Sequence, residues 1–84
     1  MVNGATIEVL YFAQVAELMG TRHERLALDA PVSAALWLQA LVARCPSLAP
    51  AERLKLAINQ EHVDQRALIH PGDEVAVFEP VTGG

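Results

Sequence analysis

The sequence is poor in cysteine, in long apolar runs and, towards its end, in basic residues. The one cysteine, Cys45, excludes an internal disulfide framework and an all-cysteine metal or iron–sulfur site. No apolar run approaches the roughly 20 residues that span a bilayer, and the N-terminus lacks the basic-then-apolar pattern of a signal peptide. We therefore expect a cytoplasmic protein without a membrane partner. A chain of 84 residues suffices for one modest core.

Basic side chains are concentrated in the first two thirds of the chain. Acids and bases balance over residues 1–56, whereas Arg66 is the one base in residues 57–84, so the net charge of −4 arises there. Nucleic acid selects for Lys and Arg, so we expect no nucleic-acid partner. An acidic final third suits a basic partner surface, although a merely solubilising acidic face is equally compatible with the composition.

The chain ends in an unusual tail, Pro80-Val81-Thr82-Gly83-Gly84. Pro80 has no N–H to donate, so it predicts the end of the preceding strand. The two terminal glycines have no side chains, which leaves a thin backbone around the carboxylate. Such a terminus suits insertion into another protein's active site. A frayed end without function is the alternative.

The hydrophobic pattern predicts a single domain spanning residues 1–84, with a flexible tail at 79–84. Strands are expected at 5–12, 23–28, 54–59, 61–64 and 74–78, and helices at 13–19 and 33–44. Ser33 is the predicted N-cap of the longer helix, and 47–53 is a connector with a single helical turn. One dominant helix among several strands predicts an α+β fold, with a mixed sheet of four to five strands and the helix on one face.

Alternation along the first and last predicted strands assigns two faces to the sheet. Ile7, Val9 and Tyr11 suit a core, and the longer helix has an apolar stripe that would pack on them. That stripe consists of Ala34, Trp37, Leu38, Leu41, Val42 and Cys45.

The opposite face of the same two strands is also apolar. If the strands are neighbours, this face brings together Leu10, Phe12, Ala76 and Phe78. A contiguous exposed apolar patch usually marks a partner surface. The alternative is a loop that covers these residues.

Four blocks of sequence carry a family resemblance. They are Leu10–Val15, Glu17–Gly20, Ala57–Gln60 and Gly72–Gly84, the last combining Gly-Asp-Glu-Val with the Pro-Val-Thr-Gly-Gly end. Together they resemble the small, sulfur-carrying subunit of molybdopterin synthase, a member of the ubiquitin-like sulfur carriers. The resemblance covers the whole domain.

This resemblance implies a β-grasp fold and a chemistry at the C-terminus. An ATP-dependent enzyme would adenylate the carboxylate of Gly84, next to Gly83, and a sulfur donor would convert it to a thiocarboxylate. The large synthase subunit would then transfer that sulfur to a cyclic pyranopterin precursor, building the dithiolene of molybdopterin. The carrier would bind no cofactor itself and catalyse nothing alone, and the synthase would be a heterotetramer. The residues implied in partner binding are Leu10, Phe12, Ala76, Phe78, Pro80, Val81 and Thr82.

Two positions depart from the family pattern. Glu79 stands where a second proline is common, and His62 stands where a larger apolar interface residue is expected. His62 and His70 lie in loop-like sequence without a third ligand, so we expect no metal site there.

Three other functions share parts of this pattern. A sulfur carrier for thiazole formation in thiamin synthesis has the same fold and Gly-Gly end, but is usually shorter. A ubiquitin-like modifier would join Gly84 to a lysine through an isopeptide bond. A simple interaction domain would use the apolar patch and leave the tail inert.

Overall fold

The computed structural model describes residues 5–48 and 50–80. Within them the chain forms two helices and seven strands, with two short 3₁₀ turns at Pro46–Leu48 and Ala51–Arg53. In chain order the elements are β1 (Thr6–Tyr11), α1 (Ala13–Met19), β2 (His23–Ala27), β3 (Val32–Ser33), α2 (Ala34–Arg44), β4 (Lys55–Ile58), β5 (Glu61–Val63), β6 (Leu68–Ile69) and β7 (Glu74–Phe78).

Five of these strands form one mixed sheet in the order β2-β1-β7-β4-β5. The first and last strands, β1 and β7, lie side by side and are parallel, while the other pairings in this sheet are antiparallel. This confirms the predicted mixed sheet and α+β class. β3 and β6 form a separate two-stranded ribbon.

The inner face of the sheet is the core. Alternation turns Ile7, Val9 and Tyr11 of β1 inward together with Val75 and Val77 of β7, and each is at most 2% exposed. Helix α2 covers this face with the fully buried Leu38 and nearly buried Leu41.

Helix α2 begins where the sequence predicts. The Ser33 hydroxyl accepts a hydrogen bond from the backbone N–H of Leu36 at 3.2 Å, which satisfies a donor of the first turn. The predicted stripe is only partly buried, because Trp37, Val42 and Cys45 pack at the margin of the core. Cys45 is half-buried, and its Sγ donates to the carbonyl of Leu18 at 3.5 Å.

The structure corrects the prediction in three places. The short strands β3 and β6 were missed, because two residues are too few to show a period of two. The 47–53 connector contributes to two 3₁₀ turns rather than one helical turn, and four of the five predicted strands end one residue early. The predicted tail, beyond Pro80, lies outside the described residues.

Neither α1 nor α2, the two helices of the described ranges, is long and apolar enough to cross a membrane.

Candidate docking site

The register of β1 and β7 brings four of the predicted partner-binding residues together. Leu10 is the direct neighbour of Ala76 across the parallel pair. The backbone N–H of Phe12 donates to the carbonyl of Val77 at 3.2 Å, which carries the pairing one step further. Since Phe12 and Phe78 each lie two residues beyond that neighbouring pair, all four side chains share the outer face.

These residues are open to solvent. Phe12 is 48% exposed, and Leu10, Ala76 and Phe78 are half-buried. Among residues 5–48 and 50–80, no loop covers these four side chains, which was the alternative left open by the sequence. Hydrophobic side chains left accessible in this way favour contact with a partner.

His62 completes this apolar surface. It lies on β5 opposite Ala57 of β4, which in turn lies opposite Ala76. The rings of His62 and Phe78 are tilted by 58°, with centroids 5.3 Å apart, a geometry typical of interacting rings. Ala57, which lies between His62 and Ala76 in their cross-strand row, is 7% exposed. We call the surface formed by Leu10, Phe12, His62, Ala76 and Phe78 the outer patch.

Charged side chains border the outer patch. Glu8, two residues before Leu10, accepts a hydrogen bond from Arg25 Nε at 2.6 Å and pairs with His23 Nε2. Arg25 first, and then His23, hold the pKa of Glu8 below its ordinary value. On the other border, Lys55 lies opposite Phe78 in the β4–β7 pair. The site thus has an apolar centre and a polar rim, the usual anatomy of a protein interface.

A half-buried polar network holds the strands behind the patch in place. The Tyr11 hydroxyl donates to Glu24 Oε1 at 2.6 Å, and Arg44 Nη2 donates to the same oxygen at 2.5 Å. The Tyr11 hydrogen bond, and then Arg44, lower the pKa of Glu24, while burial and then Glu24 raise the pKa of Tyr11. This network connects β1, β2 and the end of α2. Sequence reasoning missed it, because the three residues are far apart in the chain and follow no periodic spacing.

The residues predicted to carry the reaction, at the C-terminus, come directly after the patch residue Phe78 in the sequence. Strand β7 ends at Phe78, as Pro80 predicts, and both Glu79 and Pro80 are half-buried. Val81, Thr82, Gly83 and Gly84 lie outside the described residues. In the sequence, Gly84 follows Phe78 of the outer patch by six residues.

Within residues 5–48 and 50–80, no group of three or more His, Cys, Asp or Glu side chains is placed to hold a metal ion.

Comparison with solved structures defines the class of fold. Small archaeal modifier protein 1 from Haloferax volcanii aligns with a TM-score of 0.75 and 30% identity, over 93% of this chain and 100% of that one. A ubiquitin from Caldiarchaeum subterraneum aligns with a TM-score of 0.63 at 11% identity, over 98% of this chain and 100% of that one. The fold is therefore the ubiquitin-like β-grasp, as the sequence resemblance predicts.

Comparison with known sequences gives the family. The profile of the ThiS family matches residues 9–84. The molybdopterin synthase sulfur carrier subunit of Escherichia coli K12 is 44% identical, over 93% of this chain and 99% of that protein. The human protein of the same name is 38% identical over the full length of both chains. This chain belongs to the ThiS family, and its resemblance to molybdopterin synthase sulfur carrier subunits is confirmed.

Proposed function

We propose that this protein is the sulfur carrier of a molybdopterin synthase. The observation that supports it most is the position of the outer patch, which lies at the end of β7 where the Pro-Val-Thr-Gly-Gly tail begins. The tail would carry the reacting group and the patch would hold the partner. Relatives of matching length bear the name of such a carrier.

The proposed chemistry takes place at the carboxylate of Gly84. A free carboxylate is a poor electrophile with a poor leaving group, so its oxygen first attacks the α-phosphorus of ATP on an activating enzyme and releases pyrophosphate. A hydrosulfide donor would then attack the acyl carbon and expel AMP, leaving a thiocarboxylate and a proton. A persulfide donor would instead form an acyl disulfide, which a thiol reductant must cleave. Neither route requires a cysteine of this chain.

Delivery of the sulfur would depend on the outer patch. Burial of Phe12 and Phe78 against the large synthase subunit would fix the domain, and Pro80, Val81 and Thr82 would extend Gly83 and Gly84 into that subunit's active site. The general acids, bases and pterin pocket would belong to the large subunit, with two carriers in a heterotetramer. ATP would be consumed by the activating enzyme and would not be held by the carrier.

Intact-mass spectrometry tests the terminal chemistry. After incubation with the activating enzyme, ATP and a sulfur donor, we expect exchange of one oxygen for sulfur at Gly84. A variant with one residue added after Gly84 is the matched control, since it keeps the folded domain but moves the carboxylate. No exchange in the wild type, or equal exchange in the extended variant, would contradict the carrier function.

A protein-modifier function is the second candidate. The likeness to small archaeal modifier protein 1 favours it, and both functions begin with the same adenylate. Conjugates joined through Gly84 to lysines, found by peptide sequencing after the same incubation, would support the modifier. Copurification separates the carrier functions, because a thiamin-pathway carrier would bind a thiazole synthase rather than a pterin-binding subunit.

A further inference from the structure

A groove adjoins the outer patch at the end of the sheet. It lies between α1 and the segment leading into β2, and its volume is about 690 Å³. This is within the range of about 300–1,000 Å³ that is usual for protein binding pockets. Leu10 and Phe12 contribute to its lining as well as to the outer patch, so the two surfaces are continuous. Its other lining residues include Ala13, Ala16, Glu17 and Arg22.

The rim of the groove carries one arginine that pairs with no carboxylate of residues 5–48 and 50–80. Arg25, Arg44 and Arg66 each pair with a carboxylate. Arg22 is exposed and has no such partner among the residues that the structure describes. His23, on the same rim, already pairs with Glu8. As far as the described part of the chain goes, Arg22 is therefore the cation in this groove that can receive an acidic group from a partner.

We propose that the protein docked on the outer patch also inserts a segment into this groove. Its apolar side chain would pack on Phe12 and Ala16, and a neighbouring carboxylate would pair with Arg22. This inference rests on the proposed function, because it assigns the second half of the same interface. An anchoring side chain contributes most to binding where it fills a pocket from which water is excluded. An acid is the matching group, since docking would remove water from the Arg22 guanidinium and an unpaired buried charge is costly.

Charge reversal at Arg22 tests the proposal. Isothermal titration calorimetry would measure binding of the whole carrier to the large synthase subunit. We expect Arg22→Glu to weaken binding by about tenfold, because it opposes the partner's acid. Arg53→Glu is the matched control: Arg53 is exposed and lies in the turn that packs against α2, on the opposite side of the sheet. It makes the same change in net charge and should alter binding by less than about twofold.

A second groove variant, Glu17→Lys, should increase affinity, which misfolding cannot explain. Glu17 lines the same groove and is exposed, so it would repel the incoming carboxylate. We expect Glu17→Lys to strengthen binding several-fold. Glu52→Lys, an exposed acid next to Arg53 with the same change in charge, should have a much smaller effect. Equal effects of the groove and control variants would overturn the groove proposal.

These experiments distinguish failure of the groove proposal from failure of the proposed function itself. If the wild type does not bind the large subunit, or if Phe78→Asp leaves binding unchanged, the docking part of the proposed function is wrong. If Phe78→Asp weakens binding while Arg22→Glu and Glu17→Lys match their controls, only the groove inference is wrong.

Discussion

The imidazole ring of His62 lies against the ring of Phe78, with centroids 5.3 Å apart and planes tilted by 58°. The contact joins β5 to β7 across β4, on the face opposite the core. It extends the apolar surface by one strand, to β5, and His62 is a polar side chain within that surface. His62 is thus a candidate contact residue in its own right, despite its departure from the family pattern.

Phe78→Asp should disrupt docking while leaving the fold intact. Phe78 is half-buried on the outer face, so an aspartate there would introduce a charge at the centre of the interface. We expect affinity for the large synthase subunit to fall by more than tenfold, as for a hot-spot aromatic residue. Fluorescence anisotropy with a labelled large subunit would measure this loss.

Leu36→Asp is the control for that experiment. Leu36 is 59% exposed and lies on α2, which covers the other face of the sheet. Introducing the same charge at this exposed apolar position should leave affinity within about twofold of wild type. Equal losses in both variants would show that the outer patch is not the docking surface.

A glycine at position 60, in the Asn59–Gln60 turn, should raise the stability of the domain. Both residues have positive φ, 52° and 73°, as in the type I′ turn that joins two antiparallel strands tightly. Gln60 has a Cβ where glycine is favoured, so Gln60→Gly should stabilise the domain by about 0.5–1 kcal/mol. Gln39→Gly, on the exposed side of α2, should instead destabilise it by about 1 kcal/mol. Urea unfolding of the two variants would reveal whether the signs differ as expected.

Ala13 has a similar backbone conformation at the first residue of α1, with φ of 50°. Glycine adopts a positive φ without the steric cost that alanine has there, but it increases the conformational entropy of the unfolded chain. The first effect should offset the second, so we expect Ala13→Gly to leave stability unchanged or to raise it by up to about 1 kcal/mol. Ala40→Gly, exposed inside α2, should lower stability by about 1 kcal/mol. Thermal unfolding followed by circular dichroism would test both, and similar losses would contradict the account of Ala13.

Local patterns predicted the parts of the fold that have several residues of regular spacing. The apolar alternation of β1 and β7 was long enough to assign both faces, and the pattern ending at Gly20 gave the bounds of α1. Gly20 has φ of 78° and closes that helix in the left-handed conformation that glycine adopts easily.

Features that depend on residues distant in sequence were not predictable. Nothing in the spacing of Tyr11, Glu24 and Arg44 indicates that they meet, and the two residues of β3 match β6 only after the chain has folded. The strand predicted at 61–64 is confirmed by β5, but the contact of His62 with Phe78 could not be predicted, because it depends on the pairing of β5, β4 and β7. The β-grasp fold and the tail chemistry were expected from the resemblance to a family. The patch was expected only if β1 and β7 were neighbours, and their register in the structure meets that condition.

The Tyr11–Glu24–Arg44 network should make stability depend on acid pH. The Tyr11 hydroxyl and then Arg44 lower the pKa of Glu24 in the folded state from its ordinary value of 4.5. An acid with a lowered folded pKa stabilises the protein above its unfolded pKa, and this contribution is lost as pH falls through the folded pKa. The wild type should therefore lose stability between neutral pH and strongly acidic pH, partly through Glu24.

Glu24→Gln isolates this contribution, since glutamine keeps the size of the side chain but does not titrate. We expect the variant to be less stable than the wild type at pH 7, because a neutral amide bonds Tyr11 and Arg44 more weakly than a carboxylate does. The difference should shrink as pH falls below the folded pKa of Glu24. Urea unfolding from pH 7 to pH 2 measures it, and Glu52→Gln, at an exposed position outside the network, is the control. A difference between Glu24→Gln and wild type that does not change with pH would mean that the Glu24 carboxylate is not stabilised by folding.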